Sequence, residues 1–145
     1  MSNTISIIIP VYNEKESLEE LYGEIRAATG SFSKREVLFI DDGSTDGTTE
    51  LLQTMAEEYP DVTLIQFYRN YGKAAALAEG FNHATGDYIV TMDADLQDDP
   101  SEIKNLVEKL DEGYDLISGW KRVRLDPWAK RWPSKFFNLV TRLMT

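Results

Sequence analysis

The sequence contains no cysteine. No disulfide framework can staple the chain, and no thiolate can hold zinc, which fits a reducing compartment. Histidine is nearly as scarce. The single one, His83, stands toward the end of an expected helix, where it complements the helix dipole, so neither a Ser-His-Asp arrangement nor a zinc cluster can be assembled. Long apolar runs are missing too. No stretch reaches the roughly 18 to 20 residues that a membrane-spanning helix needs. Met1 to Thr4 enters an apolar run without the basic region and cleavage site of a secretory signal, and the chain as it stands is expected to be soluble. Positive charge is in short supply: the formal net charge is −10, which excludes a general nucleic-acid binder, because phosphate neutralisation needs a broad basic face.

What basic charge there is lies in one place. The first 120 residues hold 8 Lys and Arg against 24 Asp and Glu, a balance of −16, whereas the last 25 hold seven (Lys121, Arg122, Arg124, Lys130, Arg131, Lys135 and Arg142) against Asp126, a balance of +6. A basic tail on an acidic body points to an anionic contact such as a lipid headgroup or a phosphorylated acceptor. At 145 residues with 42% apolar content, one domain with a sizeable core is expected.

Along the chain, short β-branched runs alternate with segments of helical period. Strands are expected at Ile5–Val11, Val37–Ile40, Val62–Phe67, Tyr88–Met92 and Leu116–Ser118. Helices are expected at Lys15–Ala28 (Leu18, Leu21, Tyr22 and Ile25 inward), Thr48–Glu58 (Leu51, Leu52 and Met55 inward) and Lys73–Ala84 (Leu77, Ala78 and Phe81 inward). Another runs from Asp99-Pro100, with Glu102 as capping-box acid, to about Glu112. Strict alternation predicts an open α/β sandwich, a mostly parallel sheet with helices on both faces. Lys121 to Lys130 reads as a loop. From Ser134 to Met144, after Pro133, the stripe Phe136, Phe137, Val140, Leu143 and Met144 reads as an amphipathic helix, packed on the sheet or laid on a membrane. The expected division is therefore 1–120, an α/β binding domain, and 121–145, a basic loop and amphipathic helix; with no closing element after it, the chain is expected to be part of a longer protein.

In such sheets ligands bind beyond the carboxyl ends of the strands, and polar residues crowd there: Pro10-Val11-Tyr12-Asn13-Glu14, Asp41-Asp42-Gly43-Ser44, Tyr68-Arg69-Asn70, Asp93-Ala94-Asp95-Leu96-Gln97 and Gly119-Trp120-Lys121-Arg122. Asp93 and Asp95 with the Gln97 oxygen suit a hard divalent cation, Mg2+ or Mn2+, that also takes diphosphate oxygens. Asp98 and Asp99 are expected to cap the following helix. Asp41-Asp42 can accept hydrogen bonds from a nucleobase or ribose; the plainer alternative is an Asp-Gly turn, with Gly43 and Gly47 in the close turn and Ser44 or Thr45 capping. Gly72-Lys73 at a helix start has the look of a phosphate cradle, but the full Gly-x-x-x-x-Gly-Lys-Ser/Thr spacing of a nucleoside triphosphatase loop is absent.

Taken together, Ser6 to Glu14, Asp41-Asp-Gly-Ser-Thr-Asp-Gly-Thr48, Arg69-Asn-Tyr-Gly-Lys73 and Asp93-Ala-Asp-Leu-Gln-Asp-Asp-Pro100 resemble the inverting family 2 of nucleotide-sugar glycosyltransferases, with an A-type, Rossmann-like fold. Leu96-Gln97 and Gly119 to Asp126 are most similar to its polyprenyl-phosphate branch, which includes dolichol-phosphate mannose synthases. The resemblance implies that Pro10, Tyr12, Glu14 and Asp42 line the nucleoside pocket, with Asp42 toward the base, and that Asp93, Asp95 and Gln97 hold the metal and through it the diphosphate. Lys121, Arg122 and Arg124 would contact donor or acceptor phosphate, with Asp95, Arg122 and Arg124 the residues closest to the chemistry.

The implied partners are a nucleoside-diphosphate sugar, a polyprenyl-phosphate acceptor, the cytoplasmic face of the membrane and, as an option, a second copy of the chain. An acceptor phosphate is already ionised near neutral pH and needs no strong base. Two alternatives stay open: transfer to a sugar hydroxyl, with a base beyond Thr145, and a non-catalytic nucleotide-binding module. A phosphoacceptor signalling domain is excluded, since Pro10 to Glu14 stands where its acidic pair is required.

Overall fold

Every second side chain of a strand points to the same face of its sheet, and the first strand carries apolar residues on both faces. The computed structural model describes residues 3–114, 116–119 and 138–142. Strand β1 (Thr4–Val11) sends Ile5, Ile7, Ile9 and Val11 to one side and Ile8 to the other. Helices α1 (Leu18–Ala28), α2 (Thr48–Glu58) and α4 (Ile103–Asp111) give Leu21, Ile25, Leu52, Met55 and Val107 to the first side. Helix α3 (Lys73–His83) covers the second, with Ala76 buried and Leu77 and Phe81 packed beside Ile8, Leu38 and Ile40. Ala78, expected to face inward, is exposed; the contact line instead runs through Ala76 and Gly80, four residues apart on one face. Gly80 is required there, since a Cβ would stand 2.3 Å from Ile8 Cγ2.

The remaining strands are β2 (Lys34–Asp41), β3 (Val62–Gln66), β4 (Tyr88–Thr91), β5 (Leu116–Gly119) and β6 (Asn138–Arg142). Their order is β3-β2-β1-β4-β6-β5. β1 pairs parallel with both β2 and β4, and β2 with β3, whereas β6 runs antiparallel between β4 and β5. The first crossovers build outward from β1 through β2 to β3, and the next returns to place β4 on the other flank of β1. That reversal makes the carboxyl ends of β1 and β4 the topological switch point, the usual place for a ligand crevice in an open α/β sheet.

Strand β6 corrects the expected helix from Ser134 to Met144. Residues 138–142 are extended and paired, with Tyr88 opposite Arg142 and Leu116 opposite Thr141. An inserted antiparallel strand satisfies the backbone groups of both β4 and β5, and Val140 and Thr141 are β-branched residues that favour it. Part of the 121–145 segment thus belongs to the sheet itself; the rest of that segment, including the basic loop, lies outside the described residues.

Polar links hold the end of the sheet remote from the crevice. Ser6 is wholly buried; its hydroxyl donates to Glu36 Oε2 at 2.6 Å and accepts from the Gly86 N–H at 2.8 Å. Tyr22 donates to Asp61 Oδ1 and Arg35 Nε to Asp61 Oδ2, both at 2.6 Å. Burial, and then the Asp61 carboxylate, push the Tyr22 hydroxyl up to about 12. Burial works against ionisation of Asp61, but the Tyr22 and Arg35 hydrogen bonds and the Arg35 charge outweigh it and hold the carboxyl below its usual range.

Candidate active site

Four loops leave the carboxyl ends of β1 to β4, and each is tied to a neighbour. After β1, Asn13 adopts a left-handed φ of 53°, a conformation that Asn tolerates. Its N–H donates to Ser44 Oγ at 3.0 Å, and its Oδ1 accepts from the Thr45 N–H at 2.8 Å. Ser17 reaches the last loop, donating to the Ala94 carbonyl at 2.5 Å. After β2, the wholly buried Asp41 accepts from the Ser44 N–H at 2.9 Å and from the Thr49 hydroxyl. Asp41 is therefore structural. Neither Ser44 nor Thr45 caps α2; the N-cap is Gly47, and Asp46 before it accepts from the Thr48 N–H at 3.0 Å. Gly43 and Gly47 both have positive φ, as the turn requires.

Asp42, also buried, points across to the third loop. Its Oδ1 accepts from the Tyr71 N–H at 2.7 Å and its Oδ2 from the Gly72 N–H at 3.0 Å. This carboxylate binds the turn that opens α3 and lines the cavity as well. In the same turn the Arg69 guanidinium lies 4.9 Å from the centre of the Tyr71 ring.

The loop after β4 carries the Asp-x-Asp pair. Asp99 caps the next turn as expected, accepting from the Ser101 N–H at 3.0 Å. Asp98 does not cap: it is buried and accepts from the Asp93 N–H at 2.8 Å. The chain doubles back between these two residues, with Leu96 at a φ of 64°. This closed loop sets the direction of Asp93 and Asp95.

One cavity of ≈ 280 Å³ collects the result, lined by Pro10, Tyr12, Glu14, Asp42, Lys73, Asp93, Asp95 and Gln97 among others. Among the described residues Pro10, Tyr12, Glu14, Asp42, Asp93, Asp95 and Gln97 line it as expected, whereas Asp41, the other acid of its pair, is buried away from it. Lys121, Arg122 and Arg124 lie outside the described residues. Lys73 was missed as a site residue: its ammonium sits 2.5 Å from Asp93 Oδ1, and the signal was the Gly72-Lys73 pair, set aside with the triphosphatase loop it does not complete.

The field in the cavity is negative. Burial raises the Glu14 carboxyl above its ordinary value, and the charges of Asp95, Asp46 and Asp93 raise it further. Such a site attracts cations. Among the described residues no three His, Cys, Asp or Glu side chains converge as a ready-made cage. Two neighbouring carboxylates and an amide suit a cation that draws its other ligands from phosphate and water, and a cation, the Lys73 ammonium, already rests on Asp93.

The profile of the family described as glycosyl transferase family 2 matches residues 6–145. The chain belongs to this family. Among solved structures it is similar to the mannosyltransferase PcManGT from Pyrobaculum calidifontis in complex with GDP-Man and Mn2+, with 34% identity and a TM-score of 0.73 over 84% of this chain and 36% of that one. S. aureus TarS shares the fold at 22% identity and a TM-score of 0.67, over 86% of this chain and 23% of that one. Mannosyl-3-phosphoglycerate synthase from Rubrobacter xylanophilus follows at 21% identity and a TM-score of 0.54, over 66% of this chain and 32% of that one. The fold is thus the A-type fold of nucleotide-sugar transferases. The chain spans about a third of the length of the mannosyltransferase it matches. Among the described residues no helix is long and apolar enough to cross a membrane.

Proposed function

We propose that the protein is the donor-binding part of a metal-dependent inverting glycosyltransferase that moves a sugar from a nucleoside diphosphate to a polyprenyl phosphate at the cytoplasmic membrane face. The observation that carries the donor half is the meeting of Pro10, Tyr12, Glu14, Asp42, Asp93, Asp95 and Gln97 in one cavity at the sheet's switch point. Membership of the family supports it, as does 34% identity to a structure holding GDP-Man and Mn2+.

In this reading Pro10, Tyr12 and Glu14 form the wall against the nucleoside. The half-exposed Tyr12 offers an aromatic face for stacking. Asp42, fixed by two backbone N–H groups, is a preorganised acceptor toward the base. Asp93, Asp95 and Gln97 are the residues that would hold Mg2+ or Mn2+. When bound, the cation neutralises charge that builds on the departing nucleoside diphosphate. The loop closed by Asp98 and the tie from Ser17 to Ala94 keep the ligand side chains in place without reorganisation. Lys121, Arg122 and Arg124 supply positive charge that positions two mutually repelling phosphates. An ionised acceptor phosphate attacks the anomeric carbon without a base, and backside displacement inverts it. In this reading the first 120 residues serve the donor, Lys121, Arg122 and Arg124 serve the acceptor side, and 138–142 completes the sheet.

Calorimetric titration of the purified protein with UDP and GDP, each with Mn2+ and with chelator, tests the donor half. Binding of one nucleotide that needs Mn2+ and disappears in Asp95→Ala is expected, and names the donor class. Metal-independent binding, or binding unchanged in Asp95→Ala, would overturn the assigned metal role. Transfer of labelled sugar to polyprenyl phosphate in vesicles, against an oligosaccharide acceptor, tests the acceptor half.

A further inference from the structure

Tyr12 lines the cavity yet is 49% exposed, so packing holds only part of it and the course of its backbone sets the rest. That backbone is fixed at the next residue. Asn13 stands in the left-handed region, with a φ of 53°, between the two lining residues Tyr12 and Glu14. Its contacts all run to one loop. The main-chain N–H donates to Ser44 Oγ at 3.0 Å, and the side-chain Oδ1 accepts from the Thr45 N–H at 2.8 Å. The loop that receives them is itself anchored: the buried Asp41 holds the Ser44 N–H, and Asp42, which lines the same cavity, is held by the Tyr71 and Gly72 N–H groups. Asn13 therefore joins a wall that packing leaves half open to one that is fixed.

We propose that Asn13 is a positioning residue for the nucleoside: by fastening the loop after β1 to the loop after β2, it sets the gap between Tyr12 and Asp42 that receives base and ribose. The inference rests on the donor-site reading above. Two properties of the side chain are needed at once. Most residues resist a left-handed backbone, whereas Gly, Asn and Asp accept it. An oxygen on a one-carbon stem must also meet the Thr45 N–H, which Asn and Asp supply and Gly does not. Both bonds lie at the surface, where water competes for the same groups, so their part in overall stability is small. Their effect is local, on how closely two loops are held where a ligand enters between them. A gap fixed beforehand need not be ordered on binding, and the gain appears as affinity.

The test is titration with whichever of UDP and GDP binds with Mn2+, beside competition by the matching uncharged nucleoside, uridine or guanosine. Asn13→Gly keeps the backbone conformation and loses the acceptor; it should weaken both ligands by the same factor, about three- to tenfold. Asn13→Ala loses both properties and should weaken them further. Asn13→Asp keeps both, and should hold nucleoside affinity within about twofold, since an uncharged ligand is little affected by the added charge. Ser44→Ala withdraws the acceptor of the Asn13 N–H from the other loop and should act in the same direction, its effect combined with Asn13→Gly being smaller than the product of the two. Rescue by aspartate, and an equal loss on a ligand without phosphate, separate positioning from a mere loss of stability, which urea midpoints record on their own. Full nucleoside affinity in Asn13→Gly, or a loss confined to the diphosphate with Mn2+, overturns the positioning role and leaves the donor site standing. Absence of nucleotide binding by the unaltered protein overturns both.

Discussion

Substituting Gly43 by alanine tests how the second and third loops are fitted together. Gly43 has a φ of +78°, and a Cβ built there would stand 2.5 Å from the Arg69 carbonyl carbon and 2.6 Å from the Asn70 nitrogen. Both are backbone atoms that no rotamer change can move. Two costs follow: about 1–2 kcal/mol for a left-handed alanine and about 1–3 kcal/mol for forcing the packed loops apart. The sum, about 2–5 kcal/mol, corresponds to a fall of roughly 5–20 °C in melting temperature for a domain of this size. Gly113→Ala is the control, since Gly113 also has positive φ (+114°) but nothing within 4 Å of the new carbon. It should lose only the backbone part, about 1–2 kcal/mol. Function should respond differently as well. Arg69 and Asn70 lead directly into Tyr71 and Gly72, whose N–H groups hold Asp42, so Gly43→Ala should weaken nucleotide binding and Gly113→Ala should not. Urea unfolding and nucleotide titration of the two variants check this. Equal stability of the two would refute the steric reasoning, and undiminished binding in Gly43→Ala would refute the link from that turn to Asp42.

Asp98→Ala removes the acceptor of the Asp93 N–H in a buried position and should cost about 1–3 kcal/mol; Asp98→Asn, which keeps a carbonyl oxygen there, should cost less. Metal-dependent nucleotide affinity should fall in the same order, and a full-affinity Asp98→Ala would show that the loop does not need this tie. The Tyr22–Asp61–Arg35 group makes stability depend on pH at both extremes. Asp61 titrates lower in the folded state than unfolded, so its contribution is present above the unfolded value near 3.9 and is lost as pH falls through the folded one. Tyr22 titrates at about 12 when folded against roughly 10 unfolded, so its contribution is complete below pH 10 and is lost as pH rises toward 12. Since the Arg35–Asp61 pair it faces is partly accessible, about 1–2 kcal/mol is expected there. Tyr22→Phe should flatten the alkaline limb in urea titrations at pH 9 to 12, and an unaltered limb would refute the assignment.

The strands were readable because β-branched runs between breakers leave few alternatives. β1 to β4 fall where Ile5–Val11, Val37–Ile40, Val62–Phe67 and Tyr88–Met92 put them, to within a few residues. Helix α1 begins at Leu18 rather than Lys15, because residues 15–17 are spent on the turn from which Ser17 reaches Ala94. β6 was not readable. Phe136, Phe137, Val140, Leu143 and Met144 repeat at helical spacing, and a five-residue strand offers too little alternation to compete. What decides the matter is the hydrogen-bonding demand of β4 and β5, two strands distant in sequence, and a local pattern carries no record of that demand.

The site divides along the same line. Strand-end position and residue type brought Asp93, Asp95 and Gln97 forward as cation ligands, and the family resemblance added Pro10, Tyr12, Glu14 and Asp42; all lie together because a parallel sheet gathers its strand ends on one side whatever the details of packing. Asp41, Asp42 and Asp98 were harder, since Asp beside a turn spells the same chemistry whether or not a ligand is involved. Asp41 turns inward to Ser44 and Thr49, Asp42 crosses to Tyr71 and Gly72, and Asp98 folds back on Asp93. The Asp41–Ser44 contact is the local one that an Asp-Gly turn suggests, but the partners of Asp42 lie on another loop and that of Asp98 depends on the left-handed Leu96 between them, so neither follows from spacing. The same three contacts give the cavity its rigidity. Asp41, Asp42 and Asp98 are buried and spent on backbone N–H groups, whereas Asp93 and Asp95 line the cavity, Asp95 also accepting from the Gln97 N–H at 3.1 Å, so substitutions at Asp98 and Asp95 should fail in different ways: the first through geometry, the second mainly through charge.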